Sequence, residues 1–166
     1  HAHKLRKVIS FDPNFREHTW PDKDGALDVL SKVYPLVDIT KPSMDDAAAL
    51  WGNLEPEEYI KRFHLLGAKF VILTMGSDGS LISNGSAMMR VQAEQCDAKD
   101  ATGAGDLYWA VFLKCLLQGY KLRECGEHAS FAASKAVQSI GALLTQEEYK
   151  AILDHLKENL PSGNPA

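Results

Sequence analysis

The amino-acid sequence predicts an α/β fold with a mostly parallel sheet, on three observations. Short apolar or β-branched runs at residues 8–12, 36–40 and 69–74 alternate with segments of helical periodicity. The run at 69–74 is continuously apolar between polar ends, the pattern of a strand covered on both faces. The last third of the chain then reads as helices alone. At 166 residues the chain suffices for one domain, burying roughly 70% of the surface its unfolded form exposes.

The elements follow in order. Val8-Ile9-Ser10-Phe11-Asp12 reads as a strand ended by Pro13-Asn14, with Asp12, Asn14 and Arg16 at its carboxyl edge. The basic stretch before it resembles the tail of a helix, so the chain is expected to begin inside a larger fold. Residues 25–34 form a helix whose apolar face is Leu27, Val29, Leu30 and Val33, and Pro35 stops it. Residues 36–40 are a second strand. Ser43 is placed to cap the next helix, with Asp45 and Asp46 in its first turn. A further helix opens at Pro56, buries Tyr59, Ile60, Phe63 and Leu66, and ends at Gly67. After the strand at 69–74, Gly76-Ser77-Asp78-Gly79 turns into 80–83, and Asn84-Gly85 signals a hairpin back through 87–92. Helices are expected at 103–118, 122–139 (closed by Gly141) and 147–159, with 161–165 a frayed tail.

Composition narrows the function. A formal net charge of −4 gives no basis for a nucleic-acid or membrane-surface partner. No apolar run approaches a membrane span, and residues 1–7 lack the apolar core of a signal peptide. Three cysteines without a CxxC pair argue for free thiols, hence a cytoplasmic location. The six histidines show no metal-ligand spacing and read as surface or core residues; the three tryptophans read as packing.

Chemistry concentrates in Asp100-Ala101-Thr102-Gly103-Ala104-Gly105-Asp106. Two glycines precede an apolar helical run, so free amides at the helix start can receive an anion. A carboxylate there would repel a bound phosphate, but it suits a base that deprotonates a nucleophile attacking phosphorus. The blander account is an ordinary loop–helix junction with Asp106 on the helix dipole. By the rule that ligands meet the carboxyl ends of parallel strands, three further polar sets qualify: Asp12/Asn14/Arg16, Ser43/Asp46 and Thr74/Gly76/Gly79. Arg16 could clamp a carboxylate or phosphate, or be a plain surface residue. Ser43 and Asp46 could face a magnesium–phosphate unit, or only cap a helix. The Thr74–Gly79 turn could border a nucleotide, or simply connect a hairpin. Neither GxGxxG nor GxxxxGK[ST] occurs.

Three stretches together resemble the ribokinase-like (PfkB) carbohydrate kinase family. Residues 100–106 are similar to its D-[TA]-x-G-A-G-D signature. Phe11-Asp12-Pro13-Asn14-Phe15-Arg16, with Trp20 beyond, resembles the F-D-x-N-x-R-x-x-x-W stretch of its fructokinase and 2-keto-3-deoxygluconate kinase branch. Leu73 to Gly79 is similar to the T-x-G-x-x-G nucleotide loop. The resemblance implies the C-terminal portion of a three-layer αβα fold and transfer of the ATP γ-phosphoryl group to a sugar hydroxyl. Asp106 would be the base, and Gly103, Ala104 and Gly105 the anion hole. Thr74, Gly76, Gly79 and Ser130 would border the nucleotide, and Asn14 and Arg16 would face the substrate. Asp100 would help bind a monovalent cation, usually K+. Where the family commonly has N-x-x-E, this chain has Ser43-Met44-Asp45-Asp46; Asp46 is expected to hold a Mg2+-bound water, while Ser43 reaches less far than asparagine. Family members run to roughly twice this length, so the first strands, the lid (through which family dimers often form) and most sugar contacts are expected to be missing. Two alternatives to a sugar kinase stand beside it: a non-catalytic nucleotide-binding chain, and a kinase of the same fold acting on another alcohol such as a nucleoside.

Overall fold

The computed structural model describes residues 1–20 and 22–159; the expected tail at 161–165 lies outside the described residues. Two compact units are formed, one from residues 1–75 and 80–90, the other from 76–79 and 91 onward.

The first unit carries a five-stranded sheet whose neighbours run in chain order: β1 (Ser10–Phe11), β2 (Ile39–Thr40), β3 (Phe70–Thr74), β4 (Ser80–Ser83) and β5 (Met88–Val91). β1, β2 and β3 are parallel, with Phe11 opposite Thr40 and Thr40 opposite Val71. β4 returns antiparallel to β3, with Leu73 opposite Leu81. The α/β expectation holds, and the sheet is mixed because the tight Gly76–Gly79 turn reverses the chain. β1 is shorter than the apolar run suggests. Its last carbonyl, on Phe11, accepts the Lys41 N–H at 3.2 Å, and Pro13 has no N–H to carry the ladder on. Likewise the run at 36–40 spends its start on a 3-10 turn, Tyr34–Leu36, before β2.

Helices α1 (Lys23–Val33), α2 (Met44–Trp51) and α3 (Pro56–Leu66) complete this unit. Asp22 caps α1 by accepting the Gly25 N–H at 2.7 Å. Ala26 and Leu30 form the buried stripe of α1, while Val29, expected inward, is 41% exposed. Leu27, Val29, Leu30 and Val33 span a wider arc than one packing stripe, and Ala26 with Leu30 takes the core-facing side. On α3, Tyr59, Ile60 and Phe63 are fully buried and Leu66 only partly so. The core joins these to Tyr34, Val37, Leu50, Val71, Leu73 and Leu81. Trp51 packs edge-on against Phe63, and Trp20 stacks on Phe15.

The second unit is built on α4 (Ala104–Leu117), α5 (Leu122–Ala136) and α6 (Gln146–Glu158). Tyr108, Val111, Phe112 and Cys115 of α4 are buried, and α5 buries the small residues Ala129 and Ala132, which permit close helix approach. α5 stops at Ala136, short of the expected 139. The Val137 carbonyl instead accepts the Lys99 and Asp100 amides, at 2.7 and 3.2 Å. Thr145 and Glu148 form a capping box on α6.

Candidate active site

In the first unit the polar residues gather at the carboxyl ends of β1, β2 and β3. Asp12 follows β1. Its Oδ1 accepts the Asn14 N–H at 3.1 Å, and its Oδ2 lies 3.0 Å from the Lys41 ammonium. Asn14 has φ 38, a left-handed conformation that asparagine tolerates better than most side chains. The turn it makes leaves Arg16 exposed, and among the described residues its guanidinium has no hydrogen bond or ion pair.

Ser43 and Asp46 form the capping box of α2. The Ser43 hydroxyl accepts the Asp46 N–H at 3.0 Å and donates to Asp46 Oδ2 at 2.7 Å; Oδ2 also accepts the Ser43 N–H at 2.9 Å. The capping account of these residues holds. Asp46 does more, however, because its buried Oδ1 accepts the Phe15 N–H at 2.7 Å and so holds the turn that carries Arg16. The Ser43 hydroxyl is committed inside the unit, whereas Asp46 Oδ1 accepts one bond and keeps a further lone pair. Thr74 closes the group: its N–H donates to the Pro42 carbonyl at 3.0 Å and its hydroxyl to the same oxygen at 3.4 Å.

In the second unit the two turn glycines differ. Gly76, at φ 58, has open space where a Cβ would stand, so a ligand can approach it. At Gly79 a Cβ would fall 2.0 Å from the Val91 carbonyl oxygen, which makes that glycine a packing requirement. Ser130, on α5, is similarly spent on structure. Its hydroxyl accepts the Glu94 N–H at 2.8 Å and donates to the Gln92 carbonyl at 3.2 Å.

The glycine loop before α4 is held from both sides. Asp100 Oδ1 accepts the Thr102 N–H at 2.9 Å and its hydroxyl at 2.6 Å, and Oδ2 accepts the Gly141 N–H at 2.8 Å. These donors, the Thr102 hydroxyl first, hold the Asp100 carboxyl below its ordinary pKa. Gly103, at φ 80, packs on Ala142; a Cβ there would sit 3.1 Å from that residue's own. The segment between α5 and α6 that contains Gly141 and Ala142 is pinned in turn by Glu148, which accepts the Ser139 hydroxyl at 2.5 Å. α4 then starts with no side-chain cap; the Ala104 N–H donates to the Ala101 carbonyl at 3.2 Å, so an anion would be received by the amides on either side of it. Asp106 sits in that turn, exposed, with no hydrogen bond or ion pair among the described residues.

Sequence reasoning passed over Lys41 and Thr102. Lys41 directly follows a strand, which is the signal that could have found it. Thr102 occupies the variable position of a motif read for its glycines and acids.

The chain belongs to the pfkB family of carbohydrate kinases, whose profile matches residues 1–148. It is 35% identical over 141 residues to an ATP-dependent 6-phosphofructokinase from Thermoanaerobacterium thermosaccharolyticum, covering 85% of this chain and 44% of that protein. It is 32% identical over 149 residues to a 2-dehydro-3-deoxygluconokinase from Dickeya dadantii, covering 87% and 48%. The fold is ribokinase-like. A protein provisionally assigned as ribokinase II from E. coli, solved with ATP and Mg2+, matches at a TM-score of 0.76 with 27% identity, over 92% of this chain and 50% of that one. The chain spans about half the length of the curated relatives it matches.

Proposed function

We propose that this chain is the nucleotide- and base-bearing portion of a kinase that transfers the γ-phosphoryl group of ATP to a sugar hydroxyl. The observation that carries the reading is Asp106: an exposed, unpaired carboxylate at the uncapped start of α4, behind a glycine loop held by Asp100. A residue present only to complement the helix dipole would not need a loop held so closely in front of it.

In this reading Asp106 accepts the proton of the sugar hydroxyl as its oxygen forms a bond to the γ-phosphorus and the bond to the ADP oxygen breaks. The amides of Gly103 and Gly105 stabilise the charge gathering on the phosphoryl oxygens, joined by that of Ala104 only if it leaves the Ala101 carbonyl. Thr74 and Gly76 would each contact the nucleotide, while Gly79 and Ser130 hold backbone within the second unit, at Val91 and at Gln92 and Glu94. Arg16 and Asn14 face the substrate, and a free guanidinium suits an acidic sugar such as a keto-deoxy sugar acid. Asp46 Oδ1 would hold a Mg2+-bound water, the ion supplying neutralisation of phosphate charge. Asp100 would help bind K+. Single conserved-size substitution tests this directly: Asp106→Asn should lower sugar-dependent ADP release by roughly two to three orders of magnitude while ATP affinity changes less than about threefold. Unchanged turnover would remove Asp106 as the base.

A second reading, a non-catalytic nucleotide-binding chain, is favoured by the Ser43 hydroxyl, which is committed to Asp46. It expects ATP binding without ADP release across a panel of sugars, keto-deoxy acids and nucleosides.

A further inference from the structure

The Lys41 side chain is 5% exposed, and its ammonium lies 3.0 Å from Oδ2 of Asp12, whose side chain is 24% exposed. A buried charge is costly unless it is paired, and Asp12 is the carboxylate paired with Lys41. The pair stands at the carboxyl ends of two neighbouring parallel strands, and the Lys41 N–H also holds the Phe11 carbonyl at 3.2 Å. The other oxygen of the same carboxylate secures the Asn14 amide, at the left-handed residue of the turn. One residue on, the Phe15 amide is secured by Asp46. Two carboxylates therefore shape the four residues that end in Arg16, and Arg16 alone of the charged groups there has no partner among the described residues.

We propose that Lys41 is a positioning residue for Arg16. By neutralising and orienting Asp12 it keeps that carboxylate on the Asn14 amide and away from the arginine four residues on, so the guanidinium remains free for an anionic acceptor. The role of Arg16 rests on the kinase reading above; the hold of Lys41 on the turn does not.

The test uses the whole 166-residue chain with Lys41→Met and Lys41→Arg. Amide hydrogen exchange resolved by NMR should show the Asn14 N–H exchanging at least tenfold faster in Lys41→Met, with Phe15 within threefold of wild type and Lys41→Arg restoring the Asn14 rate. With a keto-deoxy sugar acid as acceptor, Lys41→Met should raise its KM about tenfold, leave kcat and the KM for ATP within threefold, and be rescued by Lys41→Arg. A merely structural ion pair would lower thermal stability without that split. Should Lys41→Met not fold, Asp12→Asn carries the same measurements with the lysine stem in place. Unaltered Asn14 exchange, or KM and kcat falling together without rescue by arginine, overturns the proposal. If the wild-type chain releases no ADP with any acceptor, the kinase reading fails, and the exchange data alone decide the hold of Lys41.

Discussion

At Gly79 and Gly76 the same residue type serves two different needs. Both have positive φ, but only Gly79 meets backbone, with a Cβ landing 2.0 Å from the Val91 carbonyl oxygen and 2.8 Å from the Ala93 nitrogen. Gly79→Ala should therefore cost roughly 2 kcal/mol or more of stability, and Gly76→Ala about 1 kcal/mol, measured as shifts in urea midpoint. Equal costs would show that the close approach is not a constraint. Spacing marks both as turn glycines and cannot say which one touches a neighbour. Ser43 and Asp46 show the same division. Their capping box is written in a four-residue pattern, but the bond from the Phe15 amide to Asp46 joins residues 31 apart and leaves no local trace.

Between α5 and α6 the contact turns on two histidines. His128 Nδ1 and His155 Nε2 lie 2.9 Å apart, His128 meets Tyr120 edge-on, and His155 stacks on Phe131 at 3.9 Å. One nitrogen donates and the other accepts, so the bond fails once both rings are protonated. Burial lowers the pKa of both; Glu124 and Glu127 oppose this at His128, and Glu94 and Glu158 at His155, while His128 and Lys135 add to it at His155. With folded values below the unfolded value of about 6.5, the unfolded chain binds more protons as pH falls through that value, and stability falls with it. The melting temperature should drop between pH 7 and pH 5, and His155→Gln should flatten the slope. An unchanged slope would assign the acid sensitivity elsewhere. Periodicity announced α5 and α6 as helices, but not this clasp. Histidine fits an exposed face and a buried one equally well, as His64 shows by bridging the Ala68 carbonyl and Ser83 at 2.8 Å each.

Across the whole chain the thiols give a global readout. Cys96 is exposed, whereas burial pushes Cys115 up to about 11 and Cys125 to about 12. A thiol reagent at pH 8 should titrate one equivalent quickly in the native protein and three after denaturation. Two or more fast equivalents would mean that the second unit opens readily. Among the described residues no helix is long and apolar enough to cross a membrane. The order of strands and helices, the hairpin, the Ser43 cap and the family motifs were legible in the amino-acid sequence, because each rests on residues within a few positions of one another; the Asp22 and Thr145 caps were not read there. Tertiary structure alone decided the rest. Val29 turned outward, α5 ended early because the Val137 carbonyl found Lys99 and Asp100, and Ser130 was spent on Gln92 and Glu94. The Asp100–Gly141 bond spans 41 residues, and Lys41 reaches Asp12 across the β1–β2 pair. A buried polar atom takes whichever partner the packing brings within reach, and that choice is made between segments, where local sequence pattern carries no information.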